Sequence, residues 1–394
     1  MTNLTKFLTI ILIGFLASCS KEDKIKETIN CSPVIGDSSS LHPKAVMFQA
    51  VLNDFVKRGL PGISVAIRDH HGLWLGSAGR ADITHQIDMQ PCHINKTASI
   101  TKMLIGTLTF LLAEDGVLSL DDPISKYLSS STLKGIKNAD KATIRACLGH
   151  YTGIADVIID QDFYLHVLNQ PDKFWEKEEL LDFVRGDDAV FSYGDSVRYS
   201  NTNTLLVAMV IEAATGRPHD QLLRERVIAP NHMDHTYYYW HDILPPDVVA
   251  QGYFDLYNNQ TIVNVTNYNT GSGNGYTGLY SNALDLLKFV EALFRTKTLL
   301  APSSLTQMLT FGKREVNSNR LLGLGCMKDF LERPSDQFAY GHRGRDLGYS
   351  ADAFYFPNQD MTLCLLVNYG TDAKSSLQQV FFDFRSAIID AMMK

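Results

Sequence analysis

The chain has 394 residues, of which 45% are hydrophobic and 20% charged, enough for a large globular core in one domain or two. Its formal net charge is −7, so there is no basic excess to neutralise phosphates and nucleic acid is not an expected partner. No Cys-x-x-Cys pair or Cys/His metal spacing occurs, and no metal or other cofactor is expected.

Lys6 precedes an apolar run from Phe7 to Ser18 that ends in Leu16-Ala17-Ser18-Cys19. The run is too short to span a bilayer and has the proportions of a secretory signal. Small residues directly before a cysteine resemble a bacterial lipobox. That resemblance implies a signal peptide over residues 1–18, lipidation of Cys19 and a membrane anchor there. Ser20-Lys21-Glu22-Asp23 does not resemble an inner-membrane retention signal, so the expected location is a cell-envelope lipoprotein of the outer membrane, periplasmic or surface-exposed. Residues 19–44 are polar and read as a flexible tether, leaving 45–394 as the folded domain.

Val46, Phe48, Val51 and Phe55 repeat with helical period until Gly59 and Pro61 stop the pattern. Ile63–Ile67 and Leu73–Gly76 flank Asp69-His70-His71-Gly72, a hairpin signature in which the paired histidines are turn residues. Thr204 to Thr215 reads as an apolar helix closed by Gly216, and Asp285 to Phe294 as an amphipathic one. Residues 255–277 are rich in Asn, Gly and Thr and read as a long loop, with a lid as one possible role. His232, His235 and His241 lack ligand spacing and read as loop histidines. Strand patterns return at 321–327, 338–343, 350–356 and 361–367, before a final helix from about Ser375 to Met393. Strands at both ends with helices between them predict an α/β (α+β) fold, an antiparallel sheet interrupted by a large helical insertion.

Besides Cys19 the cysteines are Cys31, Cys92, Cys147, Cys326 and Cys364. Cys147 and Cys364 lie in apolar runs and read as buried thiols. The odd number leaves the disulfide pairing open; Cys31 with Cys92 is possible but not favoured by spacing.

Three stretches carry chemistry. In Ser99-Ile100-Thr101-Lys102 the serine and lysine share a helical face, and the apolar residues that follow predict a helix buried on all sides. Burial lowers a lysine pKa and lets it take a proton from a hydroxyl, while the helix N-terminus favours developing negative charge. The motif alone occurs by chance in many surface helices. The second stretch is Tyr199-Ser200-Asn201, where a phenol beside a cation can exchange protons. The third is His342-Arg343-Gly344 on a predicted strand, where the glycine permits close approach of a ligand.

In this order and at about these separations the three motifs resemble those of the serine β-lactamase and penicillin-binding protein superfamily. The similarity is greatest to the branch of class C β-lactamases, serine DD-peptidases and related esterases. Glu114-Asp115-Gly116, Leu148-Gly149-His150-Tyr151-Thr152-Gly153 and Leu347-Gly348-Tyr349-Ser350 add to the likeness, which spans about residues 45–394. The resemblance implies a β-lactamase-like fold and a Ser99 nucleophile, with Lys102 and Tyr199 sharing its proton. It implies that Asn201 holds Lys102 and the substrate amide. His342 then keeps the surroundings of Tyr199 positive or polar, and the backbone N–H groups of Ser99 and Arg345 form an oxyanion hole. Histidine stands where many relatives have lysine, and Arg343 replaces a small hydroxyl residue. Arg343 either forks a substrate carboxylate or lies on the strand's other face. His150 reads as structural.

The implied activity is an envelope serine hydrolase working through an acyl-enzyme, most like a D-alanyl-D-alanine carboxypeptidase or β-lactamase, on peptidoglycan peptides or small molecules. An esterase or D-amino-acid peptidase on the same fold is the alternative within enzymes. A non-catalytic cell-wall-binding lipoprotein is the alternative outside them.

Overall fold

The computed structural model describes residues 24–32, 39–312, 315 and 318–394. The signal segment and Cys19 lie outside the described residues. The first strand, Gly62–Asp69, pairs on one side with Gly72–Asp82 and on the other with Met361–Val367 near the end of the chain, both antiparallel. Tyr349–Phe356, Ala339–Asp346 and Met327–Asp329 follow outward, and the two-residue strands Ile87–Asp88 and Leu321–Leu322 complete an eight-stranded sheet. The helical insertion between the two sets of strands is as expected from the sequence.

Strand alternation divides the core into two layers. Ile63, Val65, Ile67, Leu363, Leu365 and Val367 face the terminal helices, Ala45–Lys57 and Gln378–Met393, where Phe48, Phe55, Phe384 and Ile388 cover them. Ala66, Ala351, Ala353, Cys364 and Leu366 face the insertion and its central helix, Thr101–Glu114. That helix buries every residue from Thr101 to Phe110, because it is enclosed by the sheet and by the second long insertion helix, Asn201–Thr215. Gly216, in the left-handed conformation at φ 67°, ends the latter.

Residues 24–32 were read from composition as tether, yet they lie against the body. Ile25 is buried, Thr28 donates from its hydroxyl to the Val249 carbonyl at 2.5 Å, and Cys31 is bonded to Cys92. Composition missed this because much of the anchoring is made by main-chain groups, such as the Ile25, Thr28 and Ile29 N–H groups on Asn267, Asp82 and the Asp247 carbonyl, which leave no mark on residue type. Cys147, Cys326 and Cys364 are buried free thiols. Among the described residues no helix is long and apolar enough to cross a membrane.

Candidate active site

Ser99 sits in a 3₁₀ turn, Ala98–Ile100, that runs directly into the buried helix. Ala98 just before it is buried and held at φ 50°, a left-handed conformation that a non-glycine residue adopts at a cost. Strain of this kind is common where a side chain must be aimed. Ser99 itself is only partly buried and lines a cavity of about 540 Å³ together with Asp156, Tyr199, Asn201, Arg320 and Arg345, among others.

One turn on, Lys102 is buried and its Nζ lies 2.9 Å from Ser99 Oγ, 2.6 Å from Asn201 Oδ1 and 2.7 Å from the Tyr276 carbonyl oxygen. Burial is the largest influence on the amine and lowers its pKa to about 7, against the pull of Asp156, Asp372 and Asp346 in the other direction. A neutral amine has two N–H donors and one lone pair. Asn201 Oδ1 and the Tyr276 carbonyl can only accept, so they take both hydrogens and leave the lone pair for the Ser99 hydroxyl.

Asn201 opens its helix, and its amide is oriented from behind. Its Nδ2 donates to both Asp156 oxygens at 3.1 and 3.0 Å, and its backbone N–H donates to the same carboxylate at 3.0 Å. An acceptor-only carboxylate on the nitrogen side settles which end of the amide faces Lys102.

Tyr199 is brought to the same place. Its ring centre is 5.0 Å from Lys102 Nζ and 6.1 Å from the His342 ring, and the His150 ring stacks on it at 4.6 Å. Its hydroxyl oxygen is buried and makes no hydrogen bond of good geometry. Burial pushes the phenol pKa well up, and the Ser99 hydroxyl and Arg320 only partly oppose this. Desolvation prevails over the neighbouring amine, because Lys102, with its pKa at about 7, has lost its charge by the pH at which a phenol ionises.

The strand Ala339–Asp346 closes the site, and its alternation sorts the third motif. Gly344 faces Ser99's turn: a Cβ there would stand 2.0 Å from the Thr97 carbonyl oxygen, so only glycine lets the strand lie this close. His342, on the same face, is buried with Nδ1 2.6 Å from the Arg343 carbonyl oxygen. The carbonyl requires the proton on Nδ1 and leaves Nε2 an acceptor. Burial and then Lys102 drive the imidazole pKa well below its usual value, so His342 supplies a polar surface and no positive charge.

Arg343 and Arg345 point their side chains to the other face, as the alternation requires. Neither reaches solvent freely. Arg343 forks Asp329, Arg345 Nη2 reaches Asp352 Oδ1 at 2.8 Å, and Arg385 of the last helix bridges both aspartates. Asp329 and Asp352 are fully buried, and Asp329's carboxyl is held far below the usual range: its two arginines outweigh the upward push of burial.

Three contributors, the Tyr276 carbonyl, Asp156 and Asp372, carried no recognisable motif, and a fourth, His150, lay in a supporting stretch. The Tyr276 carbonyl belongs to the loop that composition suggested as a lid. The second half of that stretch is packed in place, with Asn269, Thr270, Ser272, Asn274 and Thr277 all buried, while residues 257–261 are exposed and Val263–Asn264 form a short strand paired with Tyr253–Phe254. Any residue type supplies a carbonyl, so the sequence holds no signal for it. Asp156 and Asp372 are single acids in irregular segments. His150, expected to be structural, is so in a specific way: it backs Tyr199, and its Nδ1 accepts the Ser200 N–H at 3.2 Å. Among the described residues the close group of metal-type side chains is Asp69, His70 and His71 in the hairpin turn, and none of these lines the Ser99 cavity.

Known proteins match this arrangement. Protein flp of Staphylococcus aureus is 25% identical over 185 residues, which are 47% of this chain and 36% of that protein, so the chain spans about a third of that relative's length. Penicillin-binding protein 4* of Bacillus subtilis is 23% identical over 319 residues, covering 77% of this chain and 66% of that one. Among solved structures, the D-amino acid amidase of Ochrobactrum anthropi SV3 superposes with a TM-score of 0.78 at 25% identity, over 89% of this chain and 98% of the amidase. The beta-lactamase family model matches residues 48–380, and with a serine-lysine-tyrosine cluster on the matching fold the chain belongs to the beta-lactamase family.

Proposed function

We propose that this protein hydrolyses amide bonds of small substrates built on D-amino acids, through an acyl-enzyme on Ser99. The observation that carries the reading is the hydrogen-bond arrangement of Lys102, whose two N–H groups are occupied by Asn201 Oδ1 and the Tyr276 carbonyl. Lys102 accepts the Ser99 proton as Oγ bonds to the substrate carbonyl carbon. The backbone N–H groups of Ser99 and Arg345 receive the carbonyl oxygen as it becomes negative. Tyr199, protonated at rest, gives its proton to the leaving nitrogen as the C–N bond breaks and regains one from Lys102. Water then attacks the ester by the same route in reverse.

Between the two enzyme readings, Arg343 lies on the wall of the Ser99 cavity but its guanidinium is forked on Asp329, and this engagement favours the amidase or peptidase over a carboxypeptidase that reads a free terminal carboxylate. The likeness to a D-amino acid amidase supports the same choice. The likeness to a penicillin-binding protein keeps D-alanyl-D-alanine peptides and β-lactams as the second class to examine.

The experiment is a panel of D-amino-acid amides, D-Ala-D-Ala peptides, a cephalosporin and a short ester, with wild type and Ser99→Ala, and mass spectrometry of the trapped acyl-enzyme. Turnover of the amides with an adduct on Ser99 is expected. Turnover that survives in Ser99→Ala, or no Ser99-dependent turnover of any member, would overturn the proposal.

We also propose that the protein is exported and anchored through Cys19. The Cys31–Cys92 disulfide supports an oxidising compartment. Loss of membrane association in Cys19→Ser is expected; unchanged association would refute the anchor.

A further inference from the structure

Asp372 follows the strand Met361–Val367 and is not part of any motif. It lines the Ser99 cavity and also a second, much smaller space of about 20 Å³, the size of one water molecule, between Ser99, Tyr164, Asn201, Tyr276 and Arg345. Its Oδ2 accepts the Tyr164 hydroxyl at 2.7 Å, and among the described residues it has no ion-pair partner.

The basic residue that lines the smaller space, Arg345, is already engaged, and so is Lys102. Arg345 gives Nη2 to Asp352 at 2.8 Å and Nη1 to the Gly344 carbonyl at 2.6 Å. Lys102 is surrounded by its three partners. Asp346 and Asp156 add negative charge. Asp372 stands on the open side of the cavity; the protein packed around it, and then Asp346 and Asp156, push its carboxyl pKa up, against the Tyr164 hydrogen bond and Arg345. A carboxylate beside the nucleophile without a counter-cation is a receptor for one.

The geometry limits what that cation is. On the side of the smaller space it is one small group wide and belongs to a molecule whose carbonyl is held at Ser99. An α-ammonium, two bonds from the carbonyl carbon, meets both conditions. Resting on the Ser99 chemistry proposed above, we infer that Asp372, with Tyr164 holding one of its oxygens, receives the free α-ammonium group of the acyl donor. The substrates are then amino-acid amides, or peptides cut after an unblocked first residue. Acyl donors with a blocked amine are poor substrates.

The test compares kcat/KM for D-alanine p-nitroanilide and N-acetyl-D-alanine p-nitroanilide in the full chain, with p-nitrophenyl acetate reporting Ser99 chemistry independently of any amine. Wild type should prefer the free amine by on the order of 30- to 100-fold, the range of a lost charge-assisted hydrogen bond. Asp372→Asn, nearly isosteric at a solvent-accessible position, should collapse that ratio to near one, and Tyr164→Phe should lower it by several-fold. If wild type turns over p-nitrophenyl acetate through Ser99 but shows no preference for the free amine, or if Asp372→Asn leaves the ratio unchanged, this inference fails and the Ser99 proposal stands. If no substrate shows Ser99-dependent turnover, both fall.

Discussion

The His150 imidazole lies against the Tyr199 ring with 4.6 Å between centres and 24° between planes. Burial, then Lys102 and Arg320, lower the His150 pKa to about 3, so it is neutral wherever the enzyme works. It therefore positions the phenol and moves no proton. His150→Ala should lower kcat by about 10- to 100-fold, the scale of an ångström-level misplacement, and His150→Phe should recover part of this by restoring the stack. The shape of the pH–rate profile should be the same in all three proteins; a shifted limb would put His150 in the proton path.

Lys102 sets the pH dependence. Only the neutral amine accepts the Ser99 proton, and burial places its pKa at about 7. For an uncharged substrate, kcat/KM should rise with pH, reach half its maximum near 7 and stay on a plateau above. Lys102→Ala should cut acylation by about a thousandfold or more. The phenol, pushed up by burial, stays protonated across the plateau, so Tyr199→Phe should lower kcat by about 10²- to 10⁴-fold without moving the acid limb. A rate–pH profile whose midpoint lies near that of an ordinary lysine would contradict the assignment of the base.

Gly344 is where strand and nucleophile turn touch. In Gly344→Ala the new Cβ meets the Thr97 carbonyl oxygen, backbone against backbone, with no flexible side chain to yield. The strand must move away from Ser99. Losing one oxyanion donor costs about 2.7–4 kcal/mol of transition-state stabilisation, so acylation should slow by roughly 10²- to 10³-fold. Stopped-flow acylation rates would measure it; a rate within a few-fold of wild type would show that the strand does not supply the donor.

Arg343 gives a prediction about stability. Removing it leaves the buried Asp329 with Arg385 alone. Arg343→Ala should destabilise the fold by about 3 kcal/mol, the lower end for breaking a buried pair, because one partner remains. Denaturant unfolding reads this directly. Substrates with and without a free carboxylate should lose activity equally; selective loss for the former would return Arg343 to substrate recognition.

The Cys31–Cys92 bond closes a loop with a sequence separation of 61 residues. The chain-entropy account puts its contribution at about 4 kcal/mol. Reduction, or Cys31→Ala with Cys92→Ala, should lower the unfolding midpoint accordingly. An unchanged midpoint would mean that residues 24–32 are held by packing alone.

Much of this protein is written locally. The buried run after Lys102 specifies an enclosed helix, alternation in 338–367 specifies a sheet with two covered faces, and spacing places Ser99 and Lys102 one turn apart. All three are the consequence of short-range periodicity, which any single stretch carries by itself. The same alternation already contained the answer for Arg343, one residue from His342 and therefore on the opposite face, although not that Asp329 waits there. Other decisions are made only when distant segments meet. A main-chain carbonyl at Tyr276 has no side-chain signature, yet with Asn201 it determines which way the Lys102 lone pair points. Tyr199 keeps its proton because the fold surrounds it, and no neighbour in sequence reports that. Asp372 is one acid among many until the strand end brings it beside Ser99 without a cation. Periodicity is a property of the chain, whereas desolvation and the direction of a hydrogen bond belong to the space between segments.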